Sequence, residues 1–278
     1  LNPGSKSFIA ACVQVNAGND LNSNIDSAVS GIALAASDGA DLVTLPENVA
    51  MMPGSRAQAK QHAADVADHP AVQAFQSAAC TAGVWVLVGT IGVPAADDRV
   101  ANRSLLITPD GTVNAQYDKI HMFDADPGDV KPYRESETYR PGTEAVLATL
   151  PWLKMAMTVC YDVRFPGLYR LLAQAGAGML AVPSAFTETT GQAHWHVLLR
   201  ARAIENACFV IAPAQCGSHP GDRRTYGHSM IIDPWGEVLA EAANEPAIIS
   251  ATIDTTLVEV ARSRIPALMH DKDFVLGY

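Results

Sequence analysis

Cys160 closes an apolar run, Met155-Ala156-Met157-Thr158-Val159, and Tyr161, Asp162 and Arg164 follow close behind it. A thiol at such a boundary is a candidate nucleophile. Its unperturbed pKa of about 8.5 leaves only a small fraction ionised near neutrality, so attack on a carbonyl needs a base to take the proton. It also needs donors for the oxyanion that forms; loss of one donor typically costs ~3–4 kcal/mol of transition-state stabilisation. Glu47, after Leu42-Val43-Thr44-Leu45-Pro46, and Lys119, after Val113-Asn114-Ala115-Gln116-Tyr117-Asp118, likewise stand just past strand-like segments. A carboxylate whose proton affinity is raised by burial would serve as the base. Lys119 and the backbone N–H of Tyr161 would serve as the donors. Singly, each residue has a plainer reading: solvated surface for the glutamate and lysine, inert packing for the cysteine. Together they are a complete set for acyl transfer.

Elements able to position these groups alternate along the chain. Apolar runs predict strands at 8–15, 41–47, 84–93, 154–162, 179–186, 208–217 and 247–254. Amphipathic patterns predict helices at 22–40, 70–83, 167–176 and 192–207. Pro109-Asp110-Gly111 and Pro234-Trp235-Gly236 read as hairpin turns. Two βαβ-rich halves with added hairpins predict an α/β fold of two mixed sheets with helices outside. Glu47, Lys119 and Cys160 then fall beyond strand ends, where sites collect in such folds. The polar stretch from Phe123 to Gly142 reads as a long functional loop.

With 49% apolar and 17% charged residues, the 278-residue chain reads as one globular domain over 1–278, within which residues 1–6 are expected to be disordered or foreign to the native chain. A net charge of -10 argues against nucleic acid or an anionic membrane as partner. No apolar stretch approaches the ~20 residues that span a bilayer, and no signal peptide is visible. The five cysteines are scattered and odd in number, which favours reduced thiols and a cytoplasmic chain. The histidines show no compact metal spacing, so no metal is expected. A Cys216–His219 pair is the internal rival nucleophile, without a strand-end acid or lysine beside it.

The blocks LPEN, DKIHMFD, YRES, CYDVRFP and PSAFTETTGQAHWHVLLRARAIEN, in that order, resemble the signature blocks of the nitrilase superfamily of carbon–nitrogen hydrolases. The resemblance runs from Glu47 to beyond Trp235. It implies an α-β-β-α sandwich, commonly dimerised so that a homo-oligomer is expected, and an amidase that uses no cofactor. It casts Glu47 as general base, Lys119 as oxyanion stabiliser, Cys160 as nucleophile and Glu135, in YRES, as a second glutamate that positions Lys119 and the substrate. Glu137 is the reserve for that last role.

Tyr161-Asp162 after the cysteine, where nitrilases carry tryptophan and glutamate, resembles the amidases of deaminated glutamine and deaminated glutathione. The later stretch APAQCGSHPGDRRTYGHSMIIDPWGEVLA favours the second. The implied substrate is a small carboxylate-bearing amide. Arg164, four residues past Cys160, suits a carboxylate through two parallel N–H···O bonds, unless it pairs with Asp162 instead. Tyr161, Phe186, Thr187 and Thr190 are the other expected substrate contacts. His196 stands where the related amidases have glutamate, and Gly167 where they have an acid. Alternatives are an omega-amidase, a broader aliphatic amidase, a nitrilase or N-carbamoyl hydrolase, or a non-catalytic scaffold that binds a small molecule.

Overall fold

The computed structural model of the chain describes residues 6–128 and 132–277. Residues 1–5 of the expected loose start lie outside the described residues. Lys6 is held, its carbonyl accepting from the Thr255 N–H and hydroxyl at 2.8 and 2.9 Å.

Two sheets carry the fold. The first runs in the order Ala247–Asp254, Ser7–Gln14, Leu42–Thr44, Trp85–Pro94, Val100–Ile107, Val113–Asp118, with Tyr139–Arg140 beside Val100–Ala101. The second runs Val238–Glu241, Met230–Ile232, Phe209–Ala212, Ala177–Ala181, Lys154–Met157, Val146–Thr149. In each, three adjacent parallel strands are flanked by antiparallel ones.

The pleat explains the layers, because side chains alternate between faces of a strand. Phe8, Ala10 and Cys12 point into the core shared with Met155, Met157 and Leu180 of the second sheet. Ala11 and Val13 face the other way, toward Ala28, Ile32, Val72 and Phe75 of the outer helices Leu21–Ser37 and Pro70–Ala82. Helices Pro166–Gln174 and Glu188–Asn206 cover the second sheet through Tyr169, Leu172, Trp195 and Leu199. The result is the α-β-β-α sandwich. Local chemistry sets the helix ends: the Asp20 carboxylate accepts from the Ser23 N–H at 2.7 Å, Pro70 opens the second helix, and Gly83 (φ 69°) closes it.

Several predicted boundaries shift: the strands read through 47, 186 and 217 end at Thr44, Ala181 and Ala212. The strand read through Asp162 ends at Met157, and a 3-10 turn spans Cys160–Arg164. The apolar run continues because Thr158 and Val159 are buried, and side-chain bonds join the remaining backbone ones: Thr158 Oγ1 donates to Ala181 O at 2.7 Å, and Val159 N–H donates to Asp162 Oδ2 at 2.8 Å. The helix read from 192 begins at Glu188. The 123–142 loop contains short pairings, Asp124–Ala125 with Tyr133–Arg134 and Tyr139–Arg140 with Val100–Ala101.

Candidate active site

Glu47 follows the middle parallel strand of the first sheet, and its approach depends on Gly89 in the next strand. A Cβ there would lie 2.2 Å from Leu45 O and from the Pro46 carbonyl. Lys119 follows Val113–Asp118; its N–H donates to Asn102 O at 3.0 Å and its carbonyl accepts from the Gly142 N–H at 2.8 Å. That second bond brings the end of the long loop back to the lysine. Cys160 follows the Lys154–Met157 strand with φ 48°, a left-handed conformation uncommon outside glycine, and its N–H donates to Pro183 O at 3.0 Å.

These groups meet. The Lys119 ammonium donates to Glu47 Oε1 at 3.0 Å and to both Glu135 oxygens at 2.8 and 2.9 Å. Glu47 Oε1 also accepts from Asn102 Nδ2 at 2.9 Å, and Glu47 Oε2 from the Ala185 N–H at 2.9 Å. Cys160 lies close enough to Glu47 for each to act on the other's pKa. Glu135 is fixed in turn by the Phe123 N–H at 2.6 Å. Glu137 is exposed and lies off the cavity.

Burial and charge oppose one another here. Burial alone raises the Glu47 pKa, as the sequence reading expected, but the positive charges of Lys119 and then Arg223 outweigh it. The net direction is down, so Glu47 rests ionised. For Lys119, burial favours loss of the proton, yet Glu135 and Glu47 hold its pKa well above the ordinary lysine value. Burial first, then the negative charge of Glu47, push the Cys160 thiol well up against the pull of Lys119. The resting site is therefore a neutral thiol beside a carboxylate, with an ammonium alongside. Such a set can move one proton from sulfur to carboxylate while cationic and N–H donors face the new charge.

A cavity of about 300 Å³ opens over these groups. All nine residues singled out in the sequence line it: Glu47, Lys119, Glu135 and Cys160, together with Tyr161, Arg164, Phe186, Thr187 and Thr190. Arg164 does not pair with Asp162. Its guanidinium lies 5.1 Å from the Phe186 ring centre and 5.9 Å from that of Tyr161, with Nη1 3.3 Å from His194 Nδ1. Asp162 is buried and spent on the turn itself, accepting from the Tyr117 hydroxyl (2.7 Å) and the N–H groups of Val159 (2.8 Å) and His121 (3.0 Å).

Two residues escaped the sequence reading. Asn102 touches Glu47 from the middle of a strand. Arg223 lines the cavity, donates to Ala185 O at 3.0 Å, and has a buried Nε with no partner among the described residues. Only an unremarkable polar strand, Arg223–Tyr226, carries it, so periodicity gave no signal. The rival thiol is set aside: His219 uses its nitrogens on Ala17 O (2.8 Å) and Thr225 Oγ1 (2.7 Å), and burial pushes its pKa down to about 4. The histidines do converge at one place, His196 and His228 on Glu241, where sequence spacing suggested no set.

Comparison with known proteins agrees with this geometry. The profile of the carbon–nitrogen hydrolase family matches residues 9–263. The chain is 42% identical over 237 residues to a deaminated glutathione amidase of Yersinia enterocolitica, covering 84% of this chain and 82% of that one. The crystal structure of the Caenorhabditis elegans NitFhit protein superposes with a TM-score of 0.89 at 35% identity, over 96% of this chain; the chain spans 65% of that longer protein. Saccharomyces cerevisiae Nit3, a member of the nitrilase superfamily, gives a TM-score of 0.85 at 30% identity over 96% of this chain and 97% of its own. From the strand-end cysteine to the layered sheets, the chain is a carbon–nitrogen hydrolase, an amidase of the nitrilase superfamily.

Proposed function

We propose that the chain cleaves the amide bond of deaminated glutathione through a thioester on Cys160. The observation that carries the reading is the convergence of Cys160, Glu47 and Lys119 in one buried cavity. Glu47 takes the thiol proton as sulfur attacks the amide carbonyl. Lys119 and the Tyr161 N–H hold the tetrahedral oxyanion. Glu47 then passes its proton to the departing amine nitrogen, and the C–N bond breaks to leave an acyl-sulfur ester. Water, giving its proton to the same carboxylate, hydrolyses that ester and restores the thiol. Glu135 holds the Lys119 ammonium in place.

Arg164, which pairs with no carboxylate among the described residues, receives the acid end of the substrate, with Tyr161, Phe186, Thr187 and Thr190 as walls. Support for this choice of substrate comes from the relative named above and from the arginines on the cavity. We read the chain as one domain because a single core joins both sheets. We also read it as a homo-oligomer, on the strength of the exposed Leu171, Val197 and Ile204 of the two helices over the second sheet. Five free cysteines support a reducing, cytoplasmic setting.

The test is a rate comparison on deaminated glutathione, α-ketoglutaramate, a simple aliphatic amide and a nitrile, with mass spectrometry of the protein during turnover. The first should be fastest, and Cys160 should carry the acyl mass. Preference for another amide would replace the substrate and keep the chemistry. Turnover by Cys160→Ala at the parental rate would remove the chemistry as well.

A further inference from the structure

Away from the cavity, three segments bring metal-ligating side chains together. His196 projects from the helix Glu188–Asn206, His228 precedes the strand Met230–Ile232, and Glu241 ends the strand Val238–Glu241. His196 Nε2 and His228 Nδ1 lie 2.8 and 2.9 Å from the same oxygen, Glu241 Oε1. All three donor atoms fall within 4.8 Å of one another. None of the three residues lines the catalytic cavity.

We propose that His196, His228 and Glu241 form a binding site for a zinc-class divalent transition-metal ion. Two imidazoles and one carboxylate on adjoining elements are the donor set that zinc, cobalt and nickel prefer, whereas magnesium and calcium favour all-oxygen sites. The side chains are a quarter to a third exposed, at 25%, 33% and 36%, so a hydrated ion can reach them and keep water in its open positions.

The site is held ready. The His228 ring stacks on Tyr226 with centres 4.1 Å apart. The His228 backbone sits at φ 54°, tied by its N–H to Ala243 O (3.2 Å) and by its carbonyl to the Trp195 indole N–H (2.8 Å). Without an ion, both ring nitrogens donate to Glu241. With one, those nitrogens offer lone pairs and each ring proton moves to the other nitrogen, so neutral histidines lose no proton overall. The bound ion would brace the helix that starts at the cavity wall, after Thr187, against the hairpin beneath it.

The test uses the full chain carrying Cys160→Ala and Cys80→Ser, so that neither the cavity thiol nor the exposed thiol competes. Calorimetry with Zn²⁺ and visible absorption with Co²⁺ should show one ion per chain, with no thiolate charge-transfer band and a raised Tm. His196→Ala and Glu241→Gln should each weaken binding at least tenfold. If either variant fails to fold, the parent still decides: Co²⁺ should shift or broaden the ring proton signals of His196 and His228 before those of other histidines. No uptake up to millimolar Zn²⁺, uptake undiminished in both variants, or Co²⁺ effects confined to other histidines would each overturn the proposal.

Discussion

Arg223 shows how one side chain outside the recognised motifs sets the chemistry. It supports Glu47 twice, by its charge and by gripping the carbonyl of Ala185, whose N–H holds the carboxylate. A lowered pKa means that the basic form of Glu47 persists as pH falls and is lost only on passing the lowered value. The acid limb of kcat/KM should therefore lie below the ordinary glutamate value of 4.5. Arg223→Met removes one of the two charges responsible, so the limb should move to higher pH and kcat/KM at neutral pH should fall by about tenfold or more, as loss of about 1.4 kcal/mol of stabilisation implies. A pH–rate profile of the two proteins reads this directly; coincident acid limbs would exclude the role. Glu47, Lys119 and Cys160 were legible because each stands just past a strand-like segment. Arg223 and Asn102 were not, since their relation to Glu47 exists only after strands distant in sequence pair.

Among the elements, the turn at Cys160–Arg164 does the most. Asp162 ties the Val159 N–H, the Tyr117 hydroxyl and the His121 N–H to one buried carboxylate. That pins the residues on either side of Cys160. Asp162→Ala leaves these donors buried and unpaired, at about 1–3 kcal/mol for a lost partner, and should destabilise the chain by about 3–5 kcal/mol in total. Asp162→Asn, which keeps one acceptor oxygen, should cost less. Denaturant midpoints of the three proteins check the order, and an Asp162→Ala midpoint equal to the parent's would show that the turn does not depend on this carboxylate. From sequence alone Asp162 reads as the end of a strand or a partner of Arg164. Two of its three partners come from 41 and 45 residues away, a distance over which periodicity carries no information. The same limit hid the pairing of Tyr139–Arg140 with Val100–Ala101 inside what looked like a plain loop. The outer helices and the two hairpins, set by local capping and turn residues, needed no such information.

For the whole molecule, two sheets with matching parallel triplets place Glu47 and Cys160 on facing layers. Each layer alone holds an incomplete site. The homo-oligomer reading belongs at this scale too. Val197 and Ile204 are seven residues apart on one helix, 68% and 53% exposed, and Leu171 on the neighbouring helix is 58% exposed. Residues seven apart share a helix face, and exposed apolar patches of this kind mark contact surfaces. Val197→Glu should therefore shift the sedimenting species toward the single chain without loss of helix signal. An unchanged sedimentation coefficient would place any interface elsewhere.

The upward push on the Cys160 thiol has one more effect, on durability. Peroxide oxidises cysteine through its anion, which an enclosed, protonated sulfur scarcely offers. Activity should outlast brief hydrogen peroxide treatment that converts exposed cysteines such as Cys80 to sulfenic acid, and rapid inactivation under such conditions would mean that the resting sulfur carries charge after all. A Cys160 thiol that gives up its proton only in the presence of substrate would be spared between turnovers.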